Sequence, residues 1–118
     1  PADLSAKYFP TTLVRKNADL LATSKVFTTD QWGDYLLWVN YPRQRIFIDG
    51  RSDFFQQKTG NEYLKISNAQ DGWRESLDRF GINTVLAPAD LPVARQLAKD
   101  PAWREIDRQK TTVLLHRQ

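Results

Sequence analysis

The sequence predicts an α/β domain of three layers, with a mainly parallel five-stranded sheet, helices on both faces and a C-terminal antiparallel hairpin. Short β-prone runs alternate with amphipathic stretches, as in strand–helix–strand units with right-handed crossovers. The last two β-prone runs are separated only by a short turn, which is typical of a hairpin. The 118 residues suffice for one domain with its own core and are too few for two.

The composition is that of an ordinary globular domain. Hydrophobic residues make up 41% and charged residues 26% of the chain, and the net charge of +3 comes from interleaved acids and bases. Nucleic-acid binding would require a clustered basic stripe instead. Because the chain has no cysteine and one histidine, His116, it excludes disulfides, thiolate chemistry and His-rich metal sites. We expect no metal, cofactor or nucleic-acid partner, and interpret His116 as a strand-end or core-edge residue.

The ends of the chain indicate a piece of a longer protein. It begins at Pro1 and contains no methionine. We interpret residues 1–118 as a single domain of a larger protein, with residues 1–9 as a lead-in from a preceding segment. No apolar run approaches the ~20 residues of a membrane span. If the parent is a membrane protein, its spans lie outside this sequence.

The first half of the chain predicts two helices and two strands. Pro10–Thr23 has the spacing of an amphipathic helix, and the short run Lys25–Thr28 is β-prone. Trp32–Tyr41 predicts a second helix that is apolar on more than one face and ends at Pro42. In Arg45–Asp49 an apolar run leads directly into a turn, which predicts a second, buried strand.

The middle of the chain predicts one strong helix after a weakly helical stretch at 61–69. We expect Asp71 to cap this helix at its start and Gly81 to close it in a left-handed conformation. We also expect two ion pairs between residues four apart on its solvent side. These are Arg74–Asp78 and Glu75–Arg79.

The last part predicts three strands and one helix. Ile82–Ala87 is the third strand, Asp90 caps the following helix, and Trp103–Asp107 and Thr111–His116 form the hairpin. Because consecutive units prefer to be neighbours, we expect a Rossmann-like sheet with strand order 2-1-3 and the hairpin beyond strand 3.

Polar residues follow the first two predicted strands. Asp30 and Asp49 become neighbours if those strands pair, at the carboxyl edge where open α/β sheets bind ligands. Arg51 is suited to holding an anion in bidentate fashion, and Trp32 or Tyr35 could stack on a sugar ring. The candidate ligand-binding residues are Asp30, Trp32, Tyr35, Asp49, Arg51 and Asp53.

The same residues also have a structural interpretation. Asp49 could cap backbone donors in its own turn, while Arg51 pairs with Asp30 or Asp53 to lock the loop, because a buried charge requires such partners. Asp49 and Asp53 could also form a glycosidase-type acid pair in terms of residue type. The glycines are scattered without the spacing of a phosphate-binding loop. We therefore assign no catalytic residue.

The order of four segments resembles a known family. The segments are VFTTDQWGDYLLW, RIFIDGRSDFF, FGINTVLAP and DPAWREIDRQKTTVLLHR. Together they resemble the soluble C-terminal domain of bacterial multi-spanning membrane proteins that are similar to dolichyl-phosphate-mannose-type glycosyltransferases. The positions that carry the resemblance are Trp32, Gly33, Tyr35, Leu36, Asp49, Gly50, Arg51, Trp103 and Asp107.

The resemblance implies a location and a parent architecture. The domain would lie on the extracytoplasmic side of a bacterial membrane, attached to an upstream transmembrane region that carries the transferase chemistry. It would serve as a non-catalytic accessory or binding domain, with that region and a sugar or lipid-linked phosphate as its partners. One alternative is a small autonomous enzyme or a sugar- or phosphate-binding domain that uses Asp30, Asp49 and Arg51. Another is a purely structural docking module.

Overall fold

The computed structural model describes residues 9–29, 32, 45–47 and 62–118, and for 45–47 we consider the backbone alone. Within these ranges the helices are α1 (Thr11–Lys16), α2 (Ala18–Ala22), α3 (62–67), α4 (Trp73–Phe80) and α5 (Pro92–Ala98). The strands are β1 (Lys25–Thr28), β2 (Arg45–Phe47), β3 (Thr84–Pro88), β4 (Trp103–Gln109) and β5 (Thr112–Arg117). No helix in the described ranges has the length and apolarity to cross a membrane.

The sheet is mixed, with the strand order β2-β1-β3-β5-β4. β1 pairs in parallel with β2 and β3, whereas β5 pairs antiparallel with both β3 and β4. The prediction of a mainly parallel sheet is therefore wrong. The chain crosses from β3 to the edge position of β4 through α5, and β5 then folds back into the gap between them. Two of the four strand pairs are thus antiparallel, and both involve the hairpin strand β5. The predicted order 2-1-3, with the hairpin beyond strand 3, is confirmed.

Apolar residues fill both faces of the sheet because successive side chains in a strand point to opposite sides. On one face Phe27, Val85 and Leu115 pack in a cluster with apolar residues of α4 and α5. On the other face the residues adjacent to two of these in the sequence, Leu86 and Leu114, pack with apolar residues of α1 and α2. The central strands are therefore buried on both sides.

The first predicted helix is broken into two. Pro10–Thr23 was expected to be continuous, but α1 and α2 are separated at Asn17, whose backbone departs from helical geometry. The Asn17 side chain donates one hydrogen bond to the Leu13 carbonyl oxygen and another to Asp107, both at 2.8 Å. These tertiary contacts hold the break against the edge strand β4.

The helix caps differ from the sequence prediction at two of three positions. Neither Asp71 nor Asp90 caps a helix, because α4 follows Gly72 and α5 follows Leu91, and neither start has a side-chain capping bond. Gly81 does close α4 in the left-handed conformation, with φ of 69°, as predicted. Short-range sequence signals thus located the end of α4 but misplaced two starts by one residue.

The charged residues of α4 pair with other elements rather than with each other. Arg74 pairs with Asp100, Asp78 with Arg117 at 2.7 Å, and Arg79 with Glu62 at 3.0 Å. The predicted pairs between residues four apart are therefore wrong. These three pairs fasten α4 to α3, to the turn before β4 and to the end of β5.

Candidate functional site

Most of the predicted ligand-binding residues lie outside the described ranges. They are Asp30, Tyr35, Asp49, Arg51 and Asp53. Trp32 is described: its side chain is 5% exposed and belongs to the core cluster on the α1–α2 face of the sheet. Its backbone N–H donates to the carbonyl oxygen of Thr29, the residue after β1, at 3.1 Å.

The structure brings together the strand ends that precede the candidate residues. β1 and β2 are parallel and in register, with Phe27 opposite Phe47. In sequence, Asp30 and Asp49 each follow the last described residue of a strand, Thr28 and Phe47, by two positions. The described ends of β1 and β2 therefore lie at the same carboxyl edge of the sheet, whereas Asp30 and Asp49 themselves lie outside the described residues.

This edge contains the topological switch point of the sheet. The chain leaves β1 toward β2 on one side and leaves β3 toward β4 on the other, so its two connections diverge between β1 and β3. Open α/β sheets bind ligands in the crevice at such a point. The predicted site between the first two strands therefore has a neighbouring position, between β1 and β3, that the sequence analysis did not identify.

Polar groups at the switch point are largely occupied by the fold. The buried hydroxyl of Thr28 donates to the Leu86 carbonyl oxygen at 2.7 Å and so joins β1 to β3. Beyond β3, the Ala89 N–H donates to the Thr111 carbonyl oxygen at 2.7 Å. Both hydrogen bonds tie neighbouring segments of the chain to one another at this edge of the sheet.

A second polar assembly lies at the opposite, amino-terminal edge of the same strands. His116 Nδ1 and Thr84 Oγ1 are 2.9 Å apart, and the Thr84 hydroxyl lies 3.0 Å from Asn83 Oδ1. The Lys25 backbone N–H donates to the same Asn83 oxygen at 3.0 Å. Partial burial, together with the nearby charge of Arg104, lowers the pKa of His116 below its ordinary value. The prediction that His116 is a strand-end residue is confirmed.

A third polar group joins α3 to α4. The buried Ser76 hydroxyl donates to the Glu62 carboxylate at 2.6 Å, and Arg79 and Lys65 lie 3.0 and 3.6 Å from its oxygens. The Ser76 hydrogen bond, followed by the positive charges, holds the pKa of Glu62 below its ordinary value despite partial burial. This acid is therefore ionised and fully partnered, which suits a structural tie better than acid–base chemistry.

Comparisons with known proteins identify no relative of this chain. No family model, curated protein or solved structure matches the chain. Within the described residues, no group of three or more His, Cys, Asp or Glu side chains could hold a metal ion.

Proposed function

We propose that this chain is a non-catalytic accessory or binding domain of a larger, membrane-anchored, glycosyltransferase-like protein. In this proposal the domain lies on the extracytoplasmic side of a bacterial membrane, attached to an upstream transmembrane region. It binds a sugar or lipid-linked phosphate at the carboxyl edge of its sheet. The proposed ligand groups are Asp30, Trp32, Tyr35, Asp49, Arg51 and Asp53.

The observation that carries the proposal is the parallel, in-register pairing of β1 with β2. It sets the carboxyl ends of β1 and β2 side by side, next to the switch point between β1 and β3, and the proposed ligand residues follow these strands in the sequence. An acid-and-base cluster at that place is suited to hydroxyl and phosphate groups, because carboxylates accept from sugar hydroxyls and a guanidinium binds phosphate oxygens in bidentate fashion.

The charged contacts of the described residues favour an accessory role over an enzymatic one. Glu62, Asp78, Asp100 and Asp107 each form an ion pair with a residue of another element. These carboxylates stabilise the tertiary structure through their ion pairs. We therefore place ligand recognition at the carboxyl edge of the sheet and not at these four acids.

A thermal-shift screen tests the proposal. The wild-type chain is melted with sugars, nucleotide sugars, polyprenyl-phosphate head-group mimics and divalent cations, beside Asp49→Ala and Arg51→Ala. Asp71→Ala and Arg95→Ala are matched controls, since they remove the same side chains from exposed positions elsewhere. A ligand that binds only the native state raises the Tm with its concentration.

We expect at least one sugar or phosphate ligand to raise the Tm of the wild type and of both controls by more than it raises the Tm of the two strand-end variants. If no ligand shifts the wild type and Asp49→Ala and Arg51→Ala only lower the Tm, the cluster is a structural lock. The chain would then be interpreted as a purely structural docking module and not as a ligand-binding domain. Turnover of a shifted ligand would instead favour the autonomous enzyme.

A further inference from the structure

Arg104 and His116 form a cross-strand pair at the amino-terminal edge of the sheet, opposite the edge discussed above. They are directly opposed in the β4–β5 ladder, and Thr84 is the residue opposed to His116 on its other side, in β3. Side chains directly opposite in an antiparallel pair lie on the same face, close enough to interact. Arg104 is exposed and His116 half-buried, so the pair borders solvent.

A β-bulge decides which residue faces His116. Near the turn the hairpin is regular, with Gln109 opposite Thr112, but the register shifts between Glu105 and Asp107. Continued without this shift, the register would place Glu105 opposite His116. The bulge moves an acid away and puts a base there, so the usual opposite-charge partner is replaced by a like-charged one.

The hydrogen bonds around His116 fix the position of its titrating nitrogen. Asn83 Oδ1 accepts from the Lys25 N–H, which identifies this atom as the amide oxygen. The Thr84 hydroxyl therefore donates to it at 3.0 Å, and Nδ1–H of His116 must donate to the Thr84 oxygen at 2.9 Å. Protonation of His116 therefore occurs at Nε2, and it creates a second N–H donor.

No carboxylate offsets the two bases. Neither Arg104 nor His116 has an ion-pair partner among residues 9–29, 32 and 62–118. The Nε2 atom likewise has no hydrogen-bond partner there, and it is not among the buried polar atoms left unsatisfied. Arg104 is the charged group that acts on His116. Arg104 and, once protonated, His116 are therefore cations at the border of the solvent without a carboxylate partner among the described residues.

We infer that Arg104 and His116 form a binding site for a tetrahedral oxyanion, a phosphate or sulfate group either free or as an ester. The guanidinium fork binds two oxygens of such a group. Protonated Nε2 donates to a third, and the anion offsets the repulsion between the two cations. Binding is therefore coupled to proton uptake by His116 and strengthens as the pH falls.

The site is independent of the proposed carboxyl-edge site, because it lies at the opposite ends of β1 and β3 and shares no residue with it. A negative result for one site therefore does not contradict the proposal of the other site. The two can be tested on the same 118-residue chain.

The test is an NMR titration of His116, whose ring Hε1 signal is unique because the chain has one histidine. The pKa is measured in chloride and then, at equal ionic strength, in sulfate, inorganic phosphate or glycerol 3-phosphate. Sulfate remains a dianion throughout the titration, whereas the ester distinguishes an esterified from a free ligand. Arg104→Gln removes the guanidinium, and Arg95→Gln removes an exposed one from α5 as a control.

In wild type and in Arg95→Gln, we expect the oxyanions to raise the pKa of His116 by about 0.5–1 unit relative to chloride. In Arg104→Gln we expect a higher pKa already in chloride, because the repulsion is gone, and a much smaller response to oxyanions. A response to sulfate and phosphate but not to the ester assigns the site to free oxyanions. The same pKa in all anions, or an equal response in Arg104→Gln, would overturn the inference.

Discussion

Asn17 Nδ2 donates a 2.8 Å hydrogen bond to the Asp107 carboxylate and thereby joins the break between α1 and α2 to the edge strand β4. Lys16 lies 3.2 Å from the same carboxylate oxygen, and the Arg108 backbone N–H donates to the other oxygen at 2.7 Å. Close by, the Leu13 N–H donates to the Gln109 side chain at 2.9 Å. The N-terminal helices are thus held by polar contacts in addition to their apolar face.

Asn17→Ala should destabilise the domain by about 2 kcal/mol, because it removes a hydrogen bond to a charged, mostly buried acceptor. Chemical denaturation of wild type and variant at neutral pH measures this difference. Asn68→Ala serves as the matched control, since Asn68 is exposed. Equal stability of the two variants would mean that the Asn17–Asp107 contact contributes nothing.

Asp107 should make the domain acid-sensitive. The Asn17 hydrogen bond, then the Arg108 N–H and the charge of Lys16, lower the pKa of Asp107 below its ordinary value of 3.8, although burial opposes them. The unfolded chain therefore binds this proton at a higher pH than the folded chain. The stabilisation is present above the unfolded pKa and is lost as the pH falls through the folded pKa.

Urea denaturation at a series of pH values between 7 and about 2 measures this loss, since the window lies below the unfolded carboxyl pKa. Asp107→Asn should be less stable at neutral pH and should lose less stability on acidification than the wild type. Parallel stability curves for the two proteins would show that Asp107 has no part in the acid response.

Protonation of His116 should also destabilise the domain, at a higher pH than the protonation of Asp107. Its pKa is lower in the folded chain, through burial first and Arg104 second. The unfolded chain therefore binds more protons between the folded pKa and 6.5, and stability falls as the pH decreases through that range. Denaturation in chloride buffer measures the effect. His116→Asn, which keeps a donor for Thr84, should show a flatter curve, and an unchanged slope would refute the assignment.

Leu77→Ala should cost about 2–5 kcal/mol, because it empties a fully buried position between α4 and the sheet. Leu64 provides the matched control, since its side chain on α3 is 53% exposed. Leu64→Ala should change the free energy of unfolding by no more than about 0.5 kcal/mol. Both values come from equilibrium denaturation, and similar losses for the two variants would contradict the described core.

Gly81→Ala should destabilise the domain by about 1 kcal/mol through backbone strain. Gly81 has a φ of +69°, and an added Cβ would lie 3.6 Å from the Lys25 side chain, which is an ordinary contact. Strain rather than a clash is therefore the cause. Gly81→Asn should recover part of the loss in thermal melts, because Asn tolerates the left-handed region. An equal loss for Ala and Asn would indicate a steric cause instead.

The sequence by itself determined the local elements of this protein. The β-prone run at Lys25–Thr28 and the glycine that closes α4 are found where they were predicted, because hydrophobic period and backbone conformation act over a few residues. The strand order 2-1-3 also follows from the rule that consecutive units prefer adjacent positions. These features depend on interactions between residues or elements that are close in the sequence, so a single sequence suffices to predict them.

Only the tertiary structure decided which partners meet. The insertion of β5 between β3 and β4 makes the sheet mixed, and the bulge in β4 places Arg104 opposite His116. The hydrogen bond between Asn17 and Asp107 likewise joins residues far apart in the sequence. Likewise the acids of α4 and α3 pair with distant bases. Such choices depend on contacts between residues far apart in the chain, which compete with equally plausible local pairs and are settled by packing of the whole domain.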